Sequence, residues 1–247
     1  MVSNVVRVRV YIYDEFEEDL RKSKGWTLIT GFPGFGYVGT IATRYLVSKL
    51  NAIKIGDVLT KYMPDFAALE DYGLMTPYEV FMVKEKKLLI LVNNALPQPP
   101  ERLAYALDFV EWFKEIGGSR AILAGGLNIK YKVGKEEFRW IATEGCEWRF
   151  SEPQIDKGLY IVGPLALFLI ALRLRKVPTL VILPYTEPSK YNPRAAAVFI
   201  KKVNELLDLS VDVADLLQYS KLVEEAEAAL KEAMKAAREE RGPKPYM

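Results

Sequence analysis

The sequence contains no histidine. That absence removes the Ser–His and Cys–His pairs of nucleophilic catalysis, and zinc sites built on imidazole. Only one cysteine is present, Cys146, which excludes an internal disulfide and a cysteine-rich metal centre. With no base beside it, Cys146 reads as structural, and this cysteine usage fits a cytoplasmic protein. Charge of one sign is also missing: 34 basic residues against 32 acidic ones leave a formal net charge of +2. That field is too weak to mark a nucleic-acid partner. The apolar stretch GLYIVGPLALFLIALRL, Gly158 to Leu174, is interrupted by Gly163-Pro164 and falls short of the about 20 residues a bilayer span needs. A strand end, a turn and a helix buried between layers is expected there instead of a membrane segment. The N-terminal MVSNVVRVRV lacks the apolar block and small-residue cleavage site of a secretory signal. Carboxylate or lysine chemistry is what these absences leave open.

Half of the 247 residues are apolar, enough for one sizeable domain with or without an appendage. Val6, Val8, Val10 and Ile12 alternate with Arg7, Arg9 and Tyr11, the pattern of a half-buried strand near a sheet edge. Trp26–Thr30, Ala52–Leu59, two runs within Glu79–Asn93, Ala121–Leu123 and Thr179–Leu183 supply further strands. Phe138–Phe150 reads as a hairpin or irregular polar strands. Helices are expected over about Val38–Leu50, from Pro97–Pro100 to Glu115, over Pro164–Leu174, and from the Asn192-Pro193 cap to Leu207. Leu103, Leu107, Val110 and Phe113 mark the predicted inner face of the second. Helices alternating with buried strands imply a three-layer α/β sandwich over residues 1–213, with a mostly parallel central sheet.

The loop GFPGFGYVG, Gly31 to Gly39, contains Gly34, Gly36 and Gly39 at the GxGxxG spacing of dinucleotide-binding turns. A strand precedes it, a helix follows, and Asp57 lies near the expected distance for an acid. The details fit less well: Gly31, Phe32 and Pro33 separate the motif from the strand, Phe35 and Tyr37 crowd it, and Asp57 sits inside or before its strand. Glycines also serve close helix–sheet packing without any ligand. The acids Asp65, Glu70, Asp71 and Glu79, with Tyr62 and Tyr72, form a polar connection with no spacing that fixes a catalytic pair. Tyr185, Glu187, Lys190 and Tyr191 follow a parallel strand, where ligands tend to bind, as do Asn128 and Lys130 after Gly125-Gly126.

Residues 214–247 differ in composition. Ala214 to Arg241 holds no glycine or proline and is dominated by strong helix formers. Val223, Ala226, Leu230, Ala233 and Ala237 form a thin apolar stripe. Gly242-Pro243 then stops the helix, leaving Lys244, Pro245, Tyr246 and Met247. An aromatic ring beside a terminal carboxylate suits insertion into a partner's pocket, where a lysine can meet the charge.

Five segments together resemble the archaeal and eukaryotic proteasome assembly chaperones of the second type, the proteasome assembly chaperone 2 family. They are GFPGFGYVGTIATRYLVSKL (Gly31–Leu50), IKIGDVL (Ile53–Leu59), ILAGGL (Ile122–Leu127), IVGPLALFLIALRLRKVPTLVILPYT (Ile161–Thr186) and NPRAAAVFIKKVNELLDL (Asn192–Leu209). The resemblance implies a single α/β sandwich akin to phosphorylase-like folds, a homo-oligomer, and no enzymatic activity or cofactor. It makes Gly31, Gly34, Gly36 and Gly39 a structural signature. It also implies that proteasome α subunits are the partner, docked by a hydrophobic–tyrosine–any-residue tail at Pro245, Tyr246 and Met247. Two other readings stay open: an adaptor for another small protein, and a nucleotide or small-molecule binder using the Gly34–Gly39 turn.

Overall fold

The computed structural model describes residues 8–222 and Glu225. Four strands form the centre: β2 (Trp26–Gly31), β7 (Leu88–Asn93), β8 (Gly118–Ala124) and β11 (Thr179–Thr186). They run parallel in the order β7-β2-β8-β11. Every residue of β2, β7 and β11 is buried, as expected of strands covered on both faces. On one side the sheet continues through β6 (Tyr78–Val83), β3 (Ile53–Leu59) and β1 (Arg9–Ile12), each antiparallel to its neighbour. On the other side β10 (Phe138–Ala142) pairs antiparallel with β11, and the short β9 (Leu127–Asn128) extends along the end of β11.

The sheet is therefore mixed, which corrects the expectation of a mostly parallel one. The physical reason is connection length. The link between β6 and β7 is only Lys84–Lys87, with Lys87 left-handed at φ 48°. A parallel return needs a crossover of a dozen or more residues.

Helices α2 (Val38–Lys49) and α5 (Pro193–Leu207) cover one face, and α3 (Arg102–Glu115) and α4 (Gly163–Leu174) cover the other. The short helix α1 (Asp14–Lys22) lies on the α3/α4 side, where Leu20 enters the core. An Asn192 side chain caps α5, its Oδ1 accepting from the Ala195 N–H at 3.0 Å. A small separate hairpin, β4 (Ala68–Glu70) with β5 (Gly73–Met75), projects from the β3–β6 connection.

Two helix expectations change. In α3 the buried residues are Tyr105, Ala106, Phe109, Val110 and Phe113, while Leu103 and Leu107 are exposed. The large rings of Tyr105 and Phe109 win the core side, rotating the helix away from the leucine stripe. Helix α4 lies in an outer layer instead of being buried between layers. Only Pro164, Phe168, Ala171 and Leu172 are buried, and Ile170 and Leu174 remain exposed. The residues that precede it, 157–162, form no strand.

Residues 214–222 are helical and packed on the α2/α5 side. Leu216 joins that core and Asp215 pairs with Lys49. The remaining residues of the expected 214–247 extension, Glu225 excepted, lie outside the described residues, as do Val6 and Arg7 at the other end.

Candidate functional site

The glycine turn leaves β2 and enters α2. A Cβ on Gly31 would lie 2.5 Å from the Gly39 Cα, and one on Gly39 would lie 2.5 Å from the Phe32 N. This pair lets the first turn of α2 press onto the end of β2. Gly36 has φ +65°, and its Cβ would meet Thr186 Oγ1 at 2.3 Å. Gly34 differs, because its Cβ would find only Phe32 O, at 3.8 Å.

Several of the turn's polar groups are also spent within the protein. Gly36 N–H donates to Pro188 O at 3.3 Å, Asn192 N–H donates to Gly36 O at 3.0 Å, and Tyr37 N–H donates to Gly34 O at 2.9 Å. The Tyr37 ring lies 6.1 Å from that of Tyr191, which in turn lies 6.4 Å from Tyr219. A phosphate cradle needs free N–H groups and open space at these positions. Gly36 has neither. Asp57 lies on β3 within a separate ionic network, away from the turn.

That network gathers several of the acids singled out from the sequence. Lys54 Nζ lies 2.8 Å from Asp57 Oδ1 and 3.0 Å from Glu79 Oε1. Glu79, fully buried, also accepts from Tyr72 Oη at 2.9 Å and Asn94 Nδ2 at 2.8 Å. Tyr13 Oη donates to Asp57 Oδ2 at 2.8 Å, and Thr76 Oγ1 bonds Asp57 Oδ1. Glu70 pairs with Arg44 on α2, whereas Asp65 and Asp71 are exposed. Burial opposes the Lys54 charge, but hydrogen bonds and attraction from Asp57 and Glu79 outweigh it and raise its pKa. Burial, then Glu79, pushes the Tyr72 hydroxyl upward too. A fully hydrogen-bonded lysine–carboxylate cluster of this kind holds the hairpin and β3 to the body. Lys54, Arg44, Thr76, Asn94 and Tyr13 were not foreseen as members.

The other candidates separate. Tyr185 Oη accepts from Arg139 Nε at 2.7 Å and donates to Glu136 Oε1 at 3.1 Å. Arg139 also holds Gln154 O and Asp156, so this group anchors the irregular segment after β10. Glu187 and Lys190 form a surface pair at 3.2 Å. Asn128 Oδ1 accepts from Lys130 N–H at 3.0 Å, closing a short turn. Cys146 is buried, and that burial raises its thiol pKa, which makes it a poor nucleophile. Tyr62 is exposed, though its backbone N–H donates to buried Glu101 at 2.9 Å.

Two cavities stand out among the described residues. One, of about 740 Å³, lies between α2, the β4–β5 hairpin, Tyr191 and Leu216, and its Arg44 and Glu70 are already paired. The other, of about 620 Å³, opens at the C-terminal ends of β2, β8 and β11. There the chain leaves β2 for the α2/α5 layer and β8 for the α3/α4 side. This is the crevice where parallel sheets present ligand sites. Gly34, Phe35, Gly125 and Gly126 form part of its wall. A Cβ on Gly126 would meet Phe35 O at 2.3 Å, so the two glycine-rich turns pack edge to edge.

Among the described residues, no group of three or more Cys, Asp or Glu is placed to hold a metal ion. Among them, too, no helix is long and apolar enough to cross a membrane. The tail residues Pro245, Tyr246 and Met247 lie outside the described residues.

Comparison with known proteins places the whole arrangement. A model of the PAC2 family matches residues 28–232. An uncharacterized protein of Methanocaldococcus jannaschii is 24% identical over 217 residues, covering 84% of each chain. The crystal structure of Pyrococcus furiosus PbaA, an archaeal homolog of proteasome-assembly chaperone, superposes with a TM-score of 0.78 at 22% identity. That match covers 95% of this chain and 96% of PbaA. Pyrococcus furiosus PbaB, an archaeal proteasome activator, gives a TM-score of 0.72 at 20% identity, covering 91% and 99% of the two chains.

Proposed function

The chain belongs to the PAC2 family, and from that premise we propose that it is a non-enzymatic, ATP-independent proteasome assembly chaperone or adaptor. Its partner in this reading is the proteasome α subunit or α ring. The observation that carries the proposal is the near-complete coverage, 95% of this chain, in the match to a homolog of proteasome-assembly chaperone. The chemistry of the site agrees. Gly36, at the centre of the glycine turn, spends its N–H and C=O on internal hydrogen bonds, and the lysine–carboxylate cluster is closed by its own hydrogen bonds.

In this proposal residues 1–213 form the body and residues 214–247 an extension that carries Pro245, Tyr246 and Met247 to the ring. Tyr246 supplies the ring to be buried in the partner's pocket. The body assembles as a homo-oligomer through its α3/α4 layer, where Leu103, Leu107, Ile170 and Leu174 present apolar surface that their own core does not use. Several tails on one oligomer then raise one another's effective concentration at a symmetric ring. The cytoplasm is the compartment proposed for this work.

Native mass spectrometry of the full chain with proteasome α rings tests the reading. A complex is expected with the intact protein and is expected to be lost with Tyr246→Ala or on removal of Pro245–Met247. A folded oligomer that ignores the rings in every form would overturn the proteasome reading and leave another small protein as the partner.

A further inference from the structure

The cavity at the strand ends contains a feature that ring docking does not use. Its walls are mainly apolar, including Phe32, Leu127, Ile155, Ile161, Leu165 and Leu183. Its volume of about 620 Å³ falls in the range typical of small-molecule sites. One cationic side chain, Arg102 at the start of α3, reaches this wall. Its Nε donates to Pro97 O at 2.8 Å, which fixes the guanidinium plane and leaves both Nη groups unused by that bond. No carboxylate among the described residues pairs with it. Its neighbour Glu101 is engaged elsewhere, accepting from Thr60 Oγ1 at 2.7 Å and Tyr62 N–H at 2.9 Å.

From this arrangement we infer that the cavity binds a small apolar monocarboxylic acid. The carboxylate lies against the two Nη groups of Arg102, and the hydrocarbon or aryl body fills the space between the glycine turn and α4. The chemistry selects this class. A guanidinium recognises a carboxylate through two parallel hydrogen bonds. A dianion such as phosphate would leave one charge uncompensated beside apolar walls. An alcohol of the same shape would fill the cavity but leave the guanidinium unpaired. The inference is independent of the proteasome reading, since it concerns the body and not the tail.

Isothermal titration of the full-length protein with octanoate and 3-phenylpropionate, against 1-octanol, tests it. Saturable binding of the acids is expected, with the alcohol at least tenfold weaker. Arg102→Gln is expected to reduce octanoate affinity to that of the alcohol while leaving the alcohol unchanged. Gly34→Leu is expected to abolish binding of both, because position 34 faces open space at the cavity wall. Circular dichroism checks that both variants are folded. Absence of saturable acid binding, equal affinity for acid and alcohol, or full octanoate affinity in Arg102→Gln would each overturn the inference. The Arg102→Gln protein is expected to bind α rings as the unsubstituted protein does, so the two proposals fail separately.

Discussion

The two helical layers cover one sheet by different means. On the α2/α5 side, small residues allow close approach: Gly31 meets Gly39, and Ala195, Ala196 and Ala197 are buried along α5. The chain then returns over this layer, burying Leu209, Val211, Val213 and Leu216. On the α3/α4 side, aromatic rings fill the gap. Phe168 lies 5.2 Å from Phe32 and 5.7 Å from both Tyr105 and Phe109, ring centre to ring centre. Nothing among the described residues returns to cover the outer leucines and isoleucine of this layer. One layer is largely covered by its own chain, and the other leaves leucines and an isoleucine of both its helices exposed.

Four variants would break or sharpen that contrast. Phe168→Ala removes the ring at the centre of the aromatic cluster. It is expected to destabilise the fold by about 3–5 kcal/mol, read from the urea midpoint. Gly39→Val strikes the other layer, where the close approach has no room for a side chain; a loss of about 2–3 kcal/mol is expected in the same assay. If Gly39→Val were neutral, close packing would not be what that layer depends on. Asn192→Ala removes the α5 cap and its Nδ2 bond to Thr186 Oγ1, with an expected cost of about 1 kcal/mol. The smallest stability effect is expected from the double variant Ile170→Glu, Leu174→Glu, within about 0.5 kcal/mol. Sedimentation should nevertheless show that variant as a lighter species than the unsubstituted protein. An unchanged mass would place self-association elsewhere.

Much of the fold was legible because its central strands are continuous apolar runs. LLILV and TLVIL announce burial on both faces, and the cap at Asn192-Pro193 marks the start of α5. Less was legible where the signal depends on long-range partners. Helix α1 is mostly charged, with Leu20 its one buried residue, and so left no clear stripe in the sequence. The β4–β5 hairpin has only three residues per strand. In α3, two stripes compete at helical spacing, and only the sheet decides that Tyr105 and Phe109 point inward.

The ionic cluster illustrates a deeper limit. Strand periodicity would put Lys54 and Asp57, three positions apart, on opposite faces. An irregularity between Lys54 and Gly56 shifts the register and turns both toward Glu79. Gly56 sits where a Cβ would meet Tyr11 O at 2.1 Å, which ties this stretch to β1. The glycine turn was visible as a motif, but its tie to Pro188 and Asn192 belongs to the fold and not to the spacing. Arg102 gave no signal at all, since its place beside a cavity depends on segments far along the chain.

The antiparallel margins of the sheet have a consequence for how such molecules can add to one another. At one margin β1 is only four residues long and turns Arg9 and Tyr11 to the outside. At the other, β10 already receives a bridge between Trp140 and Gln154. A short charged border and an occupied border both discourage another chain from continuing the ladder. Growth by strand addition, which has no natural stopping point, is thus disfavoured at both rims of the sheet that the described residues form. Copies that meet helix to helix can instead close into a ring of fixed number.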